Sequence, residues 1–221
     1  MNLYDETYSF SNSSEHIKLK IAAPDSMHSV IFKDFYNAIL QNEPNYMLSI
    51  STYPSRDIPD LLLQRRMDMG FTYRPDKPEG MELELLGHLS LVIIENSPYH
   101  RNSDLIHPSQ LDPAKELSVR GISNDLPELV NWHKQWFGDH SEPSLTVDTP
   151  AMVLNYMNEG HWCLMPKIIA KSMTHMPELQ IYELGVPIPN LAFYRAYCGV
   201  GNQKVKTAIE IFKKYESYIH K

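Results

Sequence analysis

Three things are scarce in this 221-residue chain: basic residues, long apolar runs and cysteine. Lys and Arg number 20 against 27 Asp and Glu, a formal net charge of −7. That argues against a nucleic-acid-binding surface, because such surfaces are basic. No apolar run approaches the ~18 residues that a membrane span needs. The opening MNLYDETYSFSNSSEH is polar and acidic, where a secretory signal is basic and then apolar, so it reads as a linker. Cysteine is confined to Cys163 and Cys198, both in apolar, strand-like runs. Their spacing does not force a disulfide, and buried thiols in a cytosolic protein are the favoured reading. The patterns CxxC, HExxH and GxxxxGKS/T are missing. Of the ten histidines, no two sit three or four apart on a predicted helix, and His28, His133 and His161 read as surface or packed residues. No metal and no cofactor is expected.

What is present is an ordinary globular balance, 43% apolar and 21% charged, in a chain long enough for one large domain or two small lobes. In KLKIAAPDSMHSVIFKDFYNAIL, Leu19, Ile21 and Ala23 alternate as in a strand. Beyond Ser26, Val30, Ile31, Phe35, Ala38 and Ile39 recur at helical spacing. A tight strand-to-helix turn leaves the first helical amides without intrahelical partners, a site for a polar ligand atom unless Asp25 or Ser26 simply caps the helix. NYMLSISTY is a second strand, and a helix is expected from Ile58 to Arg66 with Asp57 as cap. MDMGFTY is a short strand, and GMELELLGHLSLVIIEN is one or two more with a bend near Gly87. Later segments repeat the alternation: ELSVRGI, the helix NDLPELVNWHKQWF, SLTV, the helix TPAMVLNYMNEG, HWCLMP, KIIAKSM, two strands around VPIPN, and a closing helix. Such alternation predicts α/β architecture with mainly parallel sheets flanked by helices.

The order of these elements and particular stretches resemble the effector-binding domain of LysR-type transcriptional regulators. The stretches are KLKIAAPDSMHSVIFKDFYNAILQNEPNYMLSI, DIPDLLLQRRMDMGFTYRP, GMELELLGHLSLVIIENSPYH and TVDTPAMVLNYMNEGHWCLMPKIIA. The likeness runs from about Ile17 to Lys221, and its strength lies in the ordered set. It implies a two-lobed fold like type II periplasmic binding proteins, with two crossover strands and a small-molecule cleft between the lobes. Lobe I would hold residues 17–94 plus 190–221, and lobe II residues 95–189. Residues 1–16 would be a linker remnant. The family's N-terminal winged helix-turn-helix is not in these 221 residues. Where relatives commonly carry GxGIxxLP, this chain has GHWCLMP, one residue shorter and with Trp162 beside the expected cleft.

The resemblance also nominates effector-binding residues. Asp25, Ser26, Met27 and His28 lie in the first turn, where the charge of Asp25 would oppose a nearby anion. Thr72 and Tyr73 follow a short strand, and Tyr73 could equally be a packed lobe-edge aromatic. Opposite them come Arg120, Gly121, Ile122, Ser123 and Asn124; Arg120 suits a carboxylate, or else an ion pair with Asp125 or Glu116. Thr149 offers its hydroxyl to the cleft or to a helix cap. Trp162 and Met165 are cleft wall or core, and Tyr194 lies on a crossover-proximal strand. The stripe Phe32, Phe35, Tyr36 and Ile39 is chiefly core, part of it interface in a homodimer or tetramer.

The expected function is therefore a cytoplasmic ligand-sensing domain that binds a small effector, with a carboxylate as one candidate, and reaches DNA only through the winged-helix domain. A solute-binding protein of a transporter shares the architecture but predicts an exported chain. A small enzyme would need His28 with Asp25, or His161 with Glu159, as an acid–base pair, and neither pair comes with a nucleophile.

Overall fold

The change of period after Pro24 is matched by a change of structure. The computed structural model describes residues 16–98, 101–122, 126–173, 178–199 and 203–219, apart from the Lys204 side chain. Strand β1, Ile17–Ala23, ends at Pro24, whose carbonyl accepts from the Met27 and His28 amides at 3.0 and 3.3 Å. No side chain caps this turn. One wide π-type turn, Met27–Ile31, follows, and then helix α1, Lys33–Asn42. The Phe32 amide reaches back five residues to the Met27 carbonyl at 2.8 Å. The extra residue in that turn swings Phe32 into the core, where it stacks on Phe71 with centroids 4.0 Å apart.

The His28 ring, in the same turn, joins two elements. Its Nε2 is 3.1 Å from the Ser51 carbonyl and its Nδ1 is 2.9 Å from the Tyr36 hydroxyl. A carbonyl only accepts, so Nε2 carries the proton and Nδ1 accepts from Tyr36. Burial lowers the His28 pKa below its ordinary value, against smaller opposing effects of the Ser51 bond and the Asp25 charge.

The chain continues through β2 (Tyr46–Thr52), α2 (Ile58–Leu63), β3 (Met69–Thr72), β4 (Met81–Leu89) and β5 (Leu91–Asn96). Next come β6 (Leu105–Ile106), β7 (Leu117–Val119), α3 (Pro127–Phe137), β8 (Leu145–Val147) and α4 (Pro150–Tyr156). Strand β9 (Trp162–Pro166), α5 (Lys167–Ser172), β10 (Leu179–Leu184), β11 (Leu191–Cys198) and α6 (Gln203–Tyr215) complete it. Helix α2 stops at Leu63 rather than at the expected Arg66. Arg65 takes φ 56°, and the Arg66 and Arg65 amides return to the Leu61 and Leu62 carbonyls at 2.9 and 3.0 Å. This is a Schellman ending with arginine where glycine is usual, so no glycine marked it in the sequence.

Five strands form one sheet in the order β2-β1-β3-β11-β4, and four form another in the order β6-β10-β5-β9. The pair β7-β8 joins the second sheet through a bridge from Glu116 to Trp162. Parallel pairing joins β1 to β2 and β3, β6 to β10, and β7 to β8. Strand β11 runs against β3 and β4, and β5 against β9 and β10. The sheets are therefore mixed rather than mainly parallel, because β5 and β11, the strands after the two crossings, enter antiparallel. The first crossing falls at Ser90, between β4 and β5. A boundary after Ile94 would cut β5, whose Ile93 and Ile94 pair with Leu164 and Cys163 of β9. The bend expected near Gly87 is a bulge at Leu86, which has no partner between the Phe193–Gly87 and Tyr194–Leu85 pairs.

Helices α1 and α6 cover one face of the first sheet through Phe35, Phe212, Phe71 and Phe32. On the other face α2 sets Ile58, Leu61 and Leu62 over Ala22, Met81 and Ala196. Gly70 lets α2 lie this close, since a Cβ there would sit 2.4 Å from Ile58 Cγ2. Arg195, fully buried, places Nη2 2.6 Å from Glu84 on β4 and Nη1 3.1 Å from Glu216 beyond α6. No helix among the described residues is long and apolar enough to cross a membrane.

Two outcomes follow from this packing. Gly70→Ala pushes α2 off the sheet and lowers the unfolding free energy by about 1–3 kcal/mol in a denaturant titration; an unchanged midpoint would mean that α2 moves freely. For His28, a folded pKa below the unfolded value of about 6.5 means that the unfolded chain binds the proton more tightly. Its contribution is complete above about pH 6.5 and is lost as the pH falls through the folded value. Chemical denaturation at pH 7.5 and 5.5 should show a drop that shrinks in His28→Gln.

Candidate functional site

Strands β1, β2 and β3 stop at one level, and each hands over to a polar turn. Their ends are tied together: the Tyr53 amide donates to the Ala23 carbonyl at 3.0 Å, and the Tyr73 amide to Ser55 Oγ at 3.1 Å. The Ser26 and Tyr73 hydroxyls lie 3.2 Å apart, both residues buried. Burial pushes the Tyr73 pKa up to about 12, with the Ser26 bond pulling the other way, so the phenol keeps its proton and can donate.

Across from these turns stand the ends of β7 and β8. Gly121, at φ 83°, turns the chain after β7 and lets the Ile122 amide return to the Val119 carbonyl at 3.2 Å; a Cβ would strain that turn. The Arg120 amide donates to the Val147 carbonyl at 2.8 Å, joining the two turns. Arg120 Nε lies 2.8 Å from Asp148 Oδ1. Asp148 is thus its ion-pair partner among the described residues; Glu116 is buried against His133, 2.5 Å away, and Asp125 lies outside them. Thr149 occupies the cap position of α4 but makes no side-chain cap bond, so its hydroxyl is not spent on the helix.

Between the two rows of turns is a cavity of about 510 Å³, within the range of small-molecule sites. One wall is Pro24, Asp25 and Ser26, then Thr52 to Arg56, then Tyr73; the other is Val119 to Ile122 and Asp148 to Pro150. Every wall segment lies at the carboxyl end of a parallel strand, the place where open α/β sheets hold ligands.

Of the nominated residues, Asp25, Ser26, Tyr73, Arg120, Gly121, Ile122 and Thr149 line this cavity together. Met27, Thr72, Trp162, Met165, His28 and Tyr194 do not. Met27 and Met165 have no exposed surface. The Thr72 hydroxyl lies between the Ser55 carbonyl and the Arg74 amide. Trp162 packs on Phe137 and donates its indole N–H to the Asp112 carbonyl at 2.7 Å. His28 is turned to Ser51 and Tyr36, and Tyr194 pairs with Thr72 and Leu85 within the sheet. Ser123 and Asn124 lie outside the described residues. Sequence reasoning passed over Thr52 to Arg56 and Asp148. The signal was available for the former, since Tyr53-Pro54-Ser55-Arg56 stands between a strand and a helix as Pro24 to His28 does.

No group of three or more His, Cys, Asp or Glu side chains that could hold a metal lies together among the described residues. Cys163 is buried, Cys198 half-buried, and both are free thiols. Burial raises the pKa of each.

No curated protein matches the chain by sequence. Solved structures match it by fold. The regulatory domain of MexT, a transcriptional activator in Pseudomonas aeruginosa, superposes with a TM-score of 0.73 at 12% identity, over 90% of this chain and 99% of its own. The effector binding domain of BenM, with its effector benzoate, gives 0.69 at 17% identity over 91% and 92%. The reduced regulatory domain of OxyR2 from Vibrio vulnificus gives 0.76 at 12% identity over 95% and 99%. The architecture is thus the periplasmic-binding-protein-like fold of such regulatory domains. Residues 12–212 match the LysR substrate binding domain family, and the chain belongs to that family.

Proposed function

We propose that this chain is the ligand-sensing regulatory domain of a LysR-type transcriptional regulator and that the cavity at the strand ends holds its effector. One observation carries the reading: turns from both sheet units wall a single space of about 510 Å³. A molecule held there touches both units, so its affinity depends on how they are arranged, and only a ligand with such a preference can shift a conformational equilibrium. That BenM's domain has benzoate as an effector supports a small molecule in a domain of this fold.

We divide the chain into two lobes along its sheets, residues 17–89 with 191–219 and residues 91–184, joined at Ser90 and through residues 185–190. Assembly as a homodimer or tetramer, and action on cytoplasmic DNA through a winged helix-turn-helix outside these 221 residues, belong to the same reading. No catalytic step is assigned. His28 is committed to Tyr36 and Ser51, and His161 Nδ1 faces the Asn158 backbone at 3.1 and 3.2 Å.

A thermal-shift screen against amino acids, aromatic acids, dicarboxylates and inorganic anions tests this. A ligand at a hundred times its Kd adds about 2.7 kcal/mol, or roughly 5–10 °C in Tm for a domain of this size. The shift should vanish in Ser26→Ala and Arg120→Ala. A hit that survives both variants, or no hit with the domain folded, would overturn the assignment of the cavity. Tyr73→Phe leaves the buried Ser26 hydroxyl without its partner. Its expected cost is about 0.5–1.5 kcal/mol in denaturant unfolding, together with weaker binding of the same ligand.

A further inference from the structure

Among the described residues the charges around the cavity come in opposite pairs, one on each wall. Asp25 and Arg56 belong to the wall built from β1 and β2, Arg120 and Asp148 to the wall built from β7 and β8. Among the described residues no lysine, glutamate or histidine joins them. Much of the remaining lining is proline, tyrosine, valine and isoleucine, with the Ser26–Tyr73 hydroxyl pair at one side.

Each simple class of ligand leaves one of these groups badly placed. A dicarboxylate or phosphate would bring two negative charges beside Asp25 and Asp148, while both arginines already have carboxylate partners, Asp57 for Arg56 at 3.6 Å and Asp148 for Arg120 at 2.8 Å. A hydrocarbon would strip water from Asp25 and return nothing, and an unpaired buried charge is costly. Asp25 is partly buried, and among the described residues its carboxylate makes no hydrogen bond or ion pair; only its backbone carbonyl is engaged, by the Ser29 hydroxyl at 2.9 Å. Asp148 is already matched with Arg120. That bond uses Arg120 Nε, and a guanidinium has four further N–H donors on its Nη atoms with which to grip a carboxylate.

Resting on the reading of this cavity as the effector site, we propose that the effector is a zwitterion of the α-amino-acid class. Its carboxylate lies on Arg120 with the Thr149 hydroxyl, its ammonium lies on Asp25, and its side chain lies against the Tyr53, Pro54 and Ile122 surfaces. The two ligand charges then bridge the two walls, so the ligand that satisfies both lobes is the one that holds them together.

The test is a calorimetric titration of the folded domain with the apolar and aromatic L-amino acids. Alongside them go the matching des-amino carboxylates, decarboxylated amines, succinate and a neutral monosaccharide. At least one amino acid is expected to bind ten times more tightly, or better, than both of its truncated analogues. Asp25→Asn should weaken it about tenfold while strengthening the des-amino carboxylate, because the opposing charge has gone; Arg120→Gln should weaken both. A carboxylate or sugar that binds as well as any amino acid, and loses affinity in Thr149→Val, would overturn the zwitterion and leave the cavity as the effector site. Equal weakening of amino acid and des-amino carboxylate in Asp25→Asn would do the same. No binding by any compound to the folded domain would overturn both readings.

Discussion

The structure turns on one constraint: three strand ends must stop together and stay together without a further strand to pair with. The carboxyl end of a parallel sheet is where its backbone groups run out of ladder partners. Here the shortfall is met by groups borrowed from neighbouring turns. Tyr53 bonds back to Ala23, Tyr73 to Ser55, Ser26 to Tyr73, and His28 to Ser51. Each bond is modest, about 0.5–1.5 kcal/mol net, but every one ties a turn to another turn or to the end of a neighbouring strand. Moving any turn therefore breaks bonds made by another, and the wall behaves as a unit.

Beneath that wall the aromatic core gives it something to stand on. The π-type turn at Met27–Ile31 leads into Phe32, which stacks on Phe71, while Phe35 one turn on meets Phe212 and Phe32 itself, the last pair edge to face at 6.0 Å. Burial of each ring contributes about 1.5–3 kcal/mol. The same turn carries His28 away from the cavity and toward Ser51.

This explains which parts were legible in the sequence. Strand and helix order was readable because the switch from period two to period 3.6 is local, as at Pro24. The turns at Ser26, at Arg120 to Ile122 and at Thr149 were found because strand-to-helix turns are marked by small and polar residues and family likeness aligned them. Met27 and His28, nominated by likeness to the family's first turn, do not line the cavity, since Met27 is buried and His28 turns to Ser51 and Tyr36. Trp162 and Met165, open between cleft wall and core, lie in core, because all of β9 is buried and neither lines the cavity. An apolar strand reads the same whether its buried face meets a ligand or another strand. The Ser90 crossing was hidden for a similar reason: Leu89 and Leu91 sit in one apolar run, and only the pairing of Ile93 and Ile94 with β9 reveals the change of sheet.

The two walls are supported differently. The first stands on a five-stranded sheet covered on both faces, and its Ser26, Ser55 and Tyr73 are buried. The second rests on the three-residue strands β7 and β8, a seven-residue helix, and an ion pair whose side chains are 47% and 72% exposed. Exposed ion pairs hold little, about 0–1 kcal/mol, because water competes for both partners. On the proposed reading, closing the cleft around a ligand would remove that water, and the same Arg120–Asp148 contact would strengthen as the local dielectric fell. Ligand binding would then be coupled to ordering of the second wall, with the buried hydroxyls of the first wall as its template.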